Sequence, residues 1–269
     1  MAGAVSRASL AEVDERFPQV LASTDAGVLG AELFEILHLL DREHGLRRTL
    51  SDPAVSGEAK AGLLGSLLDG KVSAAAASLA GEIVRRRWST SAELTDAVEQ
   101  YAVAALADAA ERAGQLDQLE EDLFRFGRLI EGNTELRNAL AGELVPADRK
   151  AELVTSLLEG KVGGPTLALV LEAVTHPRGR SLERGLDAFG KIVAARRNRL
   201  VALVRTAVSL TGEQQNRLAA ALGASYGREV HLNIEIDPTV LGGIAVQLGD
   251  EAIDGTIAGR LDGVRRRIA

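Results

Sequence analysis

The stretch KAGLLGSLLDGKV, from Lys60 to Val72, returns as KAELVTSLLEGKV, from Lys150 to Val162, with 9 of 13 positions identical at an offset of 90. The same offset aligns Leu33-Phe34 with Leu123-Phe124, Leu46-Arg47 with Leu136-Arg137, Leu50 with Leu140, Glu82 with Glu172, Val84 with Val174 and Ser91 with Ser181. Solenoid units recur every 20 to 50 residues or about that, so a unit of 90 present twice reads as a duplicated domain rather than a stacked array. The chain therefore divides into a first copy over residues 1–95, a second over 96–200, and a tail of a different kind over 201–269.

Both copies read as helical bundles. In the second, Leu116, Leu119, Leu123, Phe126, Leu129 and Ile130 recur at spacings that place them on one helical stripe, and Gly132-Asn133 breaks the pattern. Further helices are expected over Ala147–Leu158, Pro165–Val174 and Ser181–Arg199, the last turning Leu182, Leu186, Phe189 and Val193 inward. The first copy follows the same course with Val28, Leu29, Leu33, Ile36, Leu37 and Leu40, then two helices separated near Asp69-Gly70. From Ser91 to Arg112 there is neither Gly nor Pro and much Ala, so this stretch can close the first bundle and open the second.

After Leu200 the period changes. Leu200–Ser209 is nearly continuous apolar, as a strand covered on both faces would be, and EVHLNIEI sets Val230, Leu232, Ile234 and Ile236 on one face. Between them Thr211 and Gln214 have the spacing of a capping box, and Gly227 suits a helix stop. Asp237-Pro238 turns the chain, Ile244, Val246 and Leu248 alternate as a third strand, and Gly249-Asp250 turns it again. Ile257, Leu261, Val264 and Ile268 share the stripe of a closing helix. The expected fold is mainly α: two tandem helical bundles followed by a small β-α-β-β-α, that is α+β, domain.

Composition excludes several functions. With 31 basic and 38 acidic residues the net charge is −7, and aromatics are only 3% of the chain, so neither a positive field nor stacking platforms invite nucleic acid. There is no cysteine, which removes disulfides, thiolate catalysis and cysteine-bound zinc together. MAGAVSRASLAEVDERF meets Arg7, Glu12, Asp14, Glu15 and Arg16 before any apolar stretch, which reads against a signal peptide, and nowhere do about 20 apolar residues run uninterrupted. Contact with a membrane then passes only through partners.

The motifs that resemble active sites fail on context. Gly65–Val72 has the G-x-x-x-x-G-K spacing of a phosphate loop but places Val72 where a magnesium-binding hydroxyl belongs, and it lies at the end of a helix rather than after a strand. Gly223–Gly227 has the G-x-S-x-G pattern around Ser225, with His231 beyond it, but leads from helix to strand rather than the reverse. Asp250, Glu251 and Asp254 lack the alternating ligands of a calcium loop, and His38, His44, His176 and His231 show no metal-type spacing. Arg85–Arg87 and Arg265–Arg267 fall near helix ends, where cations complement the dipole. No catalytic residue, cofactor, metal or small-molecule substrate is expected.

One string has wider significance. IDPTVLGGIAVQLGDEAIDGTIAGRL, from Ile236 to Leu261, resembles the closing signature of the F-type ATP synthase delta subunit family, which includes the mitochondrial oligomycin-sensitivity-conferring protein. The matching positions are Asp237-Pro238, Gly242-Gly243, Gly249-Asp250 and Ile253-Asp254-Gly255. Upstream, Tyr101-Ala102 with Ala104-Ala105, LFRFGRLIEGNTELRNAL and TAVSLTGEQQNRL are similar to the family's first helix, second helix and C-terminal entry, so the resemblance covers residues 97 to 269. Pro238, Gly242, Gly243, Gly249, Asp250, Asp254 and Gly255 have fold-forming roles, in turns, close approaches and a helix cap.

The resemblance implies a non-catalytic stator subunit of the proton-translocating ATP synthase, peripheral on the cytoplasmic side of the cell membrane. Such a subunit joins the alpha subunits of the catalytic head to the b-type subunits of the peripheral stalk and resists rotor torque. It also implies that an alpha-subunit helix lies between the family's first and fifth helices, here around Tyr101–Ala110 and Thr166–Val174, with Tyr101, Ala104 and Ala105 as candidate anchors. The first 95 residues or so depart from the usual pattern, resembling the longer actinobacterial subunits, and are expected to lie along the stalk. A soluble helical adaptor for partner helices outside ATP synthase is the alternative, while an enzyme or a nucleic-acid adaptor would leave the duplication without a purpose.

Overall fold

The computed structural model describes residues 3–254 apart from Glu143, Asn198, Arg228, Pro238, Thr239, Leu241, Gly242, Gly249 and Asp250. It divides into two compact units, Met1–Arg196 and Arg197–Ala269. The first holds α1 (Ala4–Ala22), α2 (Ala26–Arg42), α3 (His44–Ser51), α4 (Gly57–Leu68), α5 (Ala74–Arg85), α6 (Ser91–Arg112), α7 (Leu116–Gly132), α8 (Thr134–Ala141), α9 (Ala147–Leu158), α10 (Gly164–Thr175) and α11 (Leu182–Arg197). Both copies thus lie in one unit and share one continuous core.

The helix α6 is the reason. Leu94, Ala97, Val98, Tyr101, Ala102, Val103, Ala105, Leu106, Ala107 and Ala110 are buried on every side of it, the signature of a helix enclosed by others rather than lying on a surface. It packs against α1, α2, α3 and α5 of the first copy and α7 and α10 of the second. Thr90 caps its start by accepting from the Glu93 amide, and Gly114, at φ 68°, ends the turn beyond it. Each enclosed Val or Leu contributes about 1.5–3 kcal/mol, far more than helix propensity does.

The repeated sequence makes the same joint twice. α4 and α9 both stop two residues before a left-handed glycine, Gly70 at φ 67° and Gly160 at φ 73°, and the next amide bonds back to the Leu68 or Leu158 carbonyl at 2.9 Å. Ser56 and Ser73 cap α4 and α5 by accepting from the Ala59 and Ala76 amides. The eight-residue helices α3 and α8 are too short for their periodicity to show in sequence. Two stripe residues are on the outside: Val28 and Leu129 are each half exposed, at the margin of their apolar faces.

The second unit is a four-stranded sheet, order β2-β1-β3-β4, with one described helix. β1 (Arg199–Thr206) and β2 (Glu229–Ile236) are parallel, joined through α12 (Gly212–Tyr226), while β3 (Ile244–Leu248) runs antiparallel to β1. α12 has the expected capping box between Thr211 and Gln214 and ends at left-handed Gly227. β4 (Glu251–Asp254) pairs with β3 from Leu248↔Glu251 to Ala245↔Asp254; four residues with a single branched side chain gave it no alternation to read. β1 departs from the expectation of burial on both faces: Ala202, Val204 and Thr206 are buried, but Arg205 is exposed. Val230, Val246, Leu248 and Leu222 complete this core. The closing helix proposed around Ile257–Ile268 and the run Arg265–Arg267 lie outside the described residues.

Candidate partner surface and the joint between copies

Among the candidate anchors, Tyr101 and Ala105 are buried and Ala104 is half-buried. The Tyr101 phenol lies 3.0 Å from Asp14 Oδ1 and 3.1 Å from the Leu10 carbonyl on α1, and its ring meets Phe17 at a centroid distance of 5.0 Å. The adjoining stripe of α6 receives α2, where a Cβ at Gly30 would stand 2.7 Å from Leu106 Cγ and 3.1 Å from the Ala102 carbonyl. So the first copy covers much of the α6 surface where the resemblance places a partner helix. What remains partly open nearby is apolar: Leu167, Ala168 and Leu171 on α10 are each half-buried.

Polar contacts fix the start of α6 to α1 and, further along, the joint between the copies. Glu93 on α6 accepts from Ser6 Oγ at 2.6 Å and from the Gly3 amide at 2.9 Å, and these bonds, the serine first, hold its carboxyl below the ordinary value. In the α10–α11 loop Arg178 adopts φ 50°, a left-handed conformation that costs a side-chain-bearing residue about 1–2 kcal/mol. Its guanidinium offsets that cost by reaching Asp41 at 2.9 Å on α2, and Thr95 at 2.6 Å, Asp96 at 3.2 Å and Glu99 at 3.1 Å on α6. Arg180 adds a bidentate pair with Glu99, one bond at 2.9 Å.

Nearby, His38 on α2 places Nε2 3.0 Å from both carboxylate oxygens of Glu172 on α10, and His176 Nδ1 lies 3.4 Å from Glu172 Oε2. The two imidazoles stack at 3.6 Å. Burial works against protonation of His38, but the hydrogen bond and charge of Glu172, aided by Glu35 and Asp41, raise its pKa. Burial would raise the Glu172 carboxyl, yet hydrogen bonds from His176 and His38 and their charge hold it lower than usual. Spacing along the chain could not reveal this cluster, because His38 and Glu172 are 134 residues apart. The Glu-x-x-x-His step from Glu172 to His176 was its one local sign.

The active-site look-alikes fall where their context implied. Gly65 is inside α4, and Ser225 is exposed near the end of α12, donating to the Ala221 carbonyl at 3.0 Å. Arg85 and Arg86 are held by Glu58, Glu82 and Glu12 within the chain. Of the signature positions, Gly243 has φ 85°, a conformation that favours glycine, and Asp254 is the last residue of β4. Pro238, Gly242, Gly249, Asp250 and Gly255 lie outside the described residues. No helix among the described residues is long and apolar enough to cross a membrane.

Comparison with known proteins agrees with the tail signature and extends beyond it. The family described as ATP synthase delta (OSCP) subunit matches residues 97–268. A protein named ATP synthase subunit delta from Thermobifida fusca strain YX is 51% identical over 265 residues, covering 98% of this chain and 98% of that protein. Proteins of the same name from Streptomyces griseus and Acidothermus cellulolyticus are 49% identical over 266 residues and 44% over 269, again covering 98% of both chains in each pair. These relatives therefore share the first copy as well as the second.

Proposed function

This chain belongs to the ATP synthase delta (OSCP) subunit family, and from that we propose that it works as the stator link of the enzyme, between the alpha subunits of the head and the b-type subunits of the peripheral stalk. It is a structural, non-catalytic subunit of ATP synthase. The observation that carries the reading is similarity over 98% of the chain to proteins of that one name. The architecture suits the task. A load-transmitting element needs a stiff body, and one core running through both copies, pinned at Arg178, Tyr101 and His38, supports a single body rather than two hinged ones.

In this reading the head helix seats on the half-open apolar face of α10, Leu167, Ala168 and Leu171, with Ala104 the anchor on α6 that the first copy leaves partly open. Tyr101 and Ala105 serve the joint. The first copy lies along the stalk, the sheet unit holds the end of the b-type subunit, and the chain is held at the cytoplasmic face of the membrane by these neighbours. Affinity isolation from gently solubilised membranes tests the assignment: ATP synthase alpha and b-type subunits should accompany the chain, and their absence would overturn it.

A further inference from the structure

We propose that His38, Glu172 and His176 form a binding site for a zinc-class divalent metal ion that clasps the first copy to the second. One nitrogen from each imidazole and a carboxylate oxygen lie within 4.8 Å of one another. Two histidines and a carboxylate are a ligand set that suits zinc, with metal–ligand distances of about 2.0–2.2 Å and hence about 3.3 Å between donors in a tetrahedral site. The His38–Glu172 and His176–Glu172 separations are 3.0 and 3.4 Å. Glu172 and His176 stand one helical turn apart on α10, and α2 supplies the third ligand from the other copy. On its far side His38 Nδ1 has the exposed Glu35 carboxylate 4.0 Å away, too far for a hydrogen bond as the structure stands but within one rotamer change of the outer-shell contact that orients metal-binding imidazoles. Glu172 is buried while the His176 side chain is 44% exposed, which leaves room for water at a fourth position.

The duplication sharpens the assignment. At the offset of 90 the counterpart of His176 is Arg86, which meets Glu82 as His176 meets Glu172, so the first copy has a permanently charged guanidinium where the second has an imidazole; the counterpart of His38, Arg128, is exposed and pairs with Glu131 instead. Arginine cannot ligate a metal; histidine can. Metal binding requires His176 to swing out of its stack with His38 and to lose its contact with Thr175 Oγ1, now at 2.9 Å, movements that its exposure permits.

The test uses the full-length chain without a histidine tag, stripped with chelator and titrated with zinc in a calorimeter, with magnesium as the hard-cation control. The expected result is one equivalent of zinc, no saturable magnesium binding, and a zinc-dependent rise in Tm. Binding should be weakened at least tenfold in His176→Asn and unchanged in His44→Asn. Co-substitution with cobalt should give visible absorption that His176→Asn loses. Because His176 is on the surface, that variant keeps the fold and decides the matter even where His38→Asn does not. Absence of saturable zinc binding, or one-equivalent binding that His176→Asn leaves intact, would overturn the proposal.

Discussion

The Tyr101 phenol lies 3.0 Å from the Asp14 carboxylate, tying the helix that opens the second copy to the helix that opens the first. Its hydroxyl and ring belong to the joint, so Tyr101→Phe should cost about 1–2 kcal/mol and Tyr101→Ala about 3–5 kcal/mol. Urea unfolding with an unchanged m-value reads both. A cost near zero for Tyr101→Ala would mean that the two copies do not depend on this contact.

α2 approaches α6 tightly at Gly30, where added carbon would meet Leu106 at 2.7 Å. Gly30→Ala should therefore destabilise by about 1–3 kcal/mol despite the better helix propensity of alanine. Gly65→Ala, on an exposed part of α4 with nothing within 4 Å, should stabilise by about 0.5–1 kcal/mol. If Gly65 served a phosphate loop, the latter change would instead abolish a nucleotide affinity; thermal shift with ATP distinguishes the two.

In chelating buffer the His38–Glu172 contact should have a stability window. The pKa of His38 is raised above 6.5, so its contribution is fully present below that value and is lost as pH rises through the folded pKa. That of Glu172 is lowered below 4.5, so its contribution is present above that value and is lost as pH falls through the folded pKa. The stability difference between wild type and His38→Asn should be largest between 4.5 and 6.5 and shrink as pH rises above 6.5 through the folded pKa of His38. A difference that grew with pH would contradict this pairing.

Leu171→Glu on α10 should weaken binding of an alpha-subunit N-terminal peptide at least tenfold; because Leu171 is half-buried against the core the unfolding midpoint falls as well, so affinity is compared at a temperature where both chains are fully folded. Helix-in-groove recognition depends on a few apolar anchors, and a charge there is costly. Unchanged peptide affinity would move the head contact elsewhere.

Much of this architecture was legible in the sequence because it is local. The uninterrupted Ala-rich stretch became α6, the Thr211–Gln214 box capped α12, and the two Gly-Lys-Val joints stopped helices in the same way. The offset gave kinship of positions but not of neighbours. Phe34 and Phe124 align, yet Phe34 packs against Phe189 at 6.4 Å whereas Phe124 is 67% exposed, because α2 has the second copy beside it and α7 has no third. For the same reason the sequence left open whether the family-derived anchors Tyr101 and Ala105 face a partner or the bundle; both are buried in the joint. The contacts of His38 with Glu172 and of Arg178 with Thr95 were invisible because the partners are 134 and 83 residues apart.

The stator role is tested most directly by depleting native membranes of this chain and adding the purified full-length protein back. Depletion should lower proton-driven ATP synthesis, the added chain should restore it, and the isolated chain should have no ATPase activity of its own. Synthesis unaffected by depletion, or ATP hydrolysis by the isolated chain, would contradict the stator role.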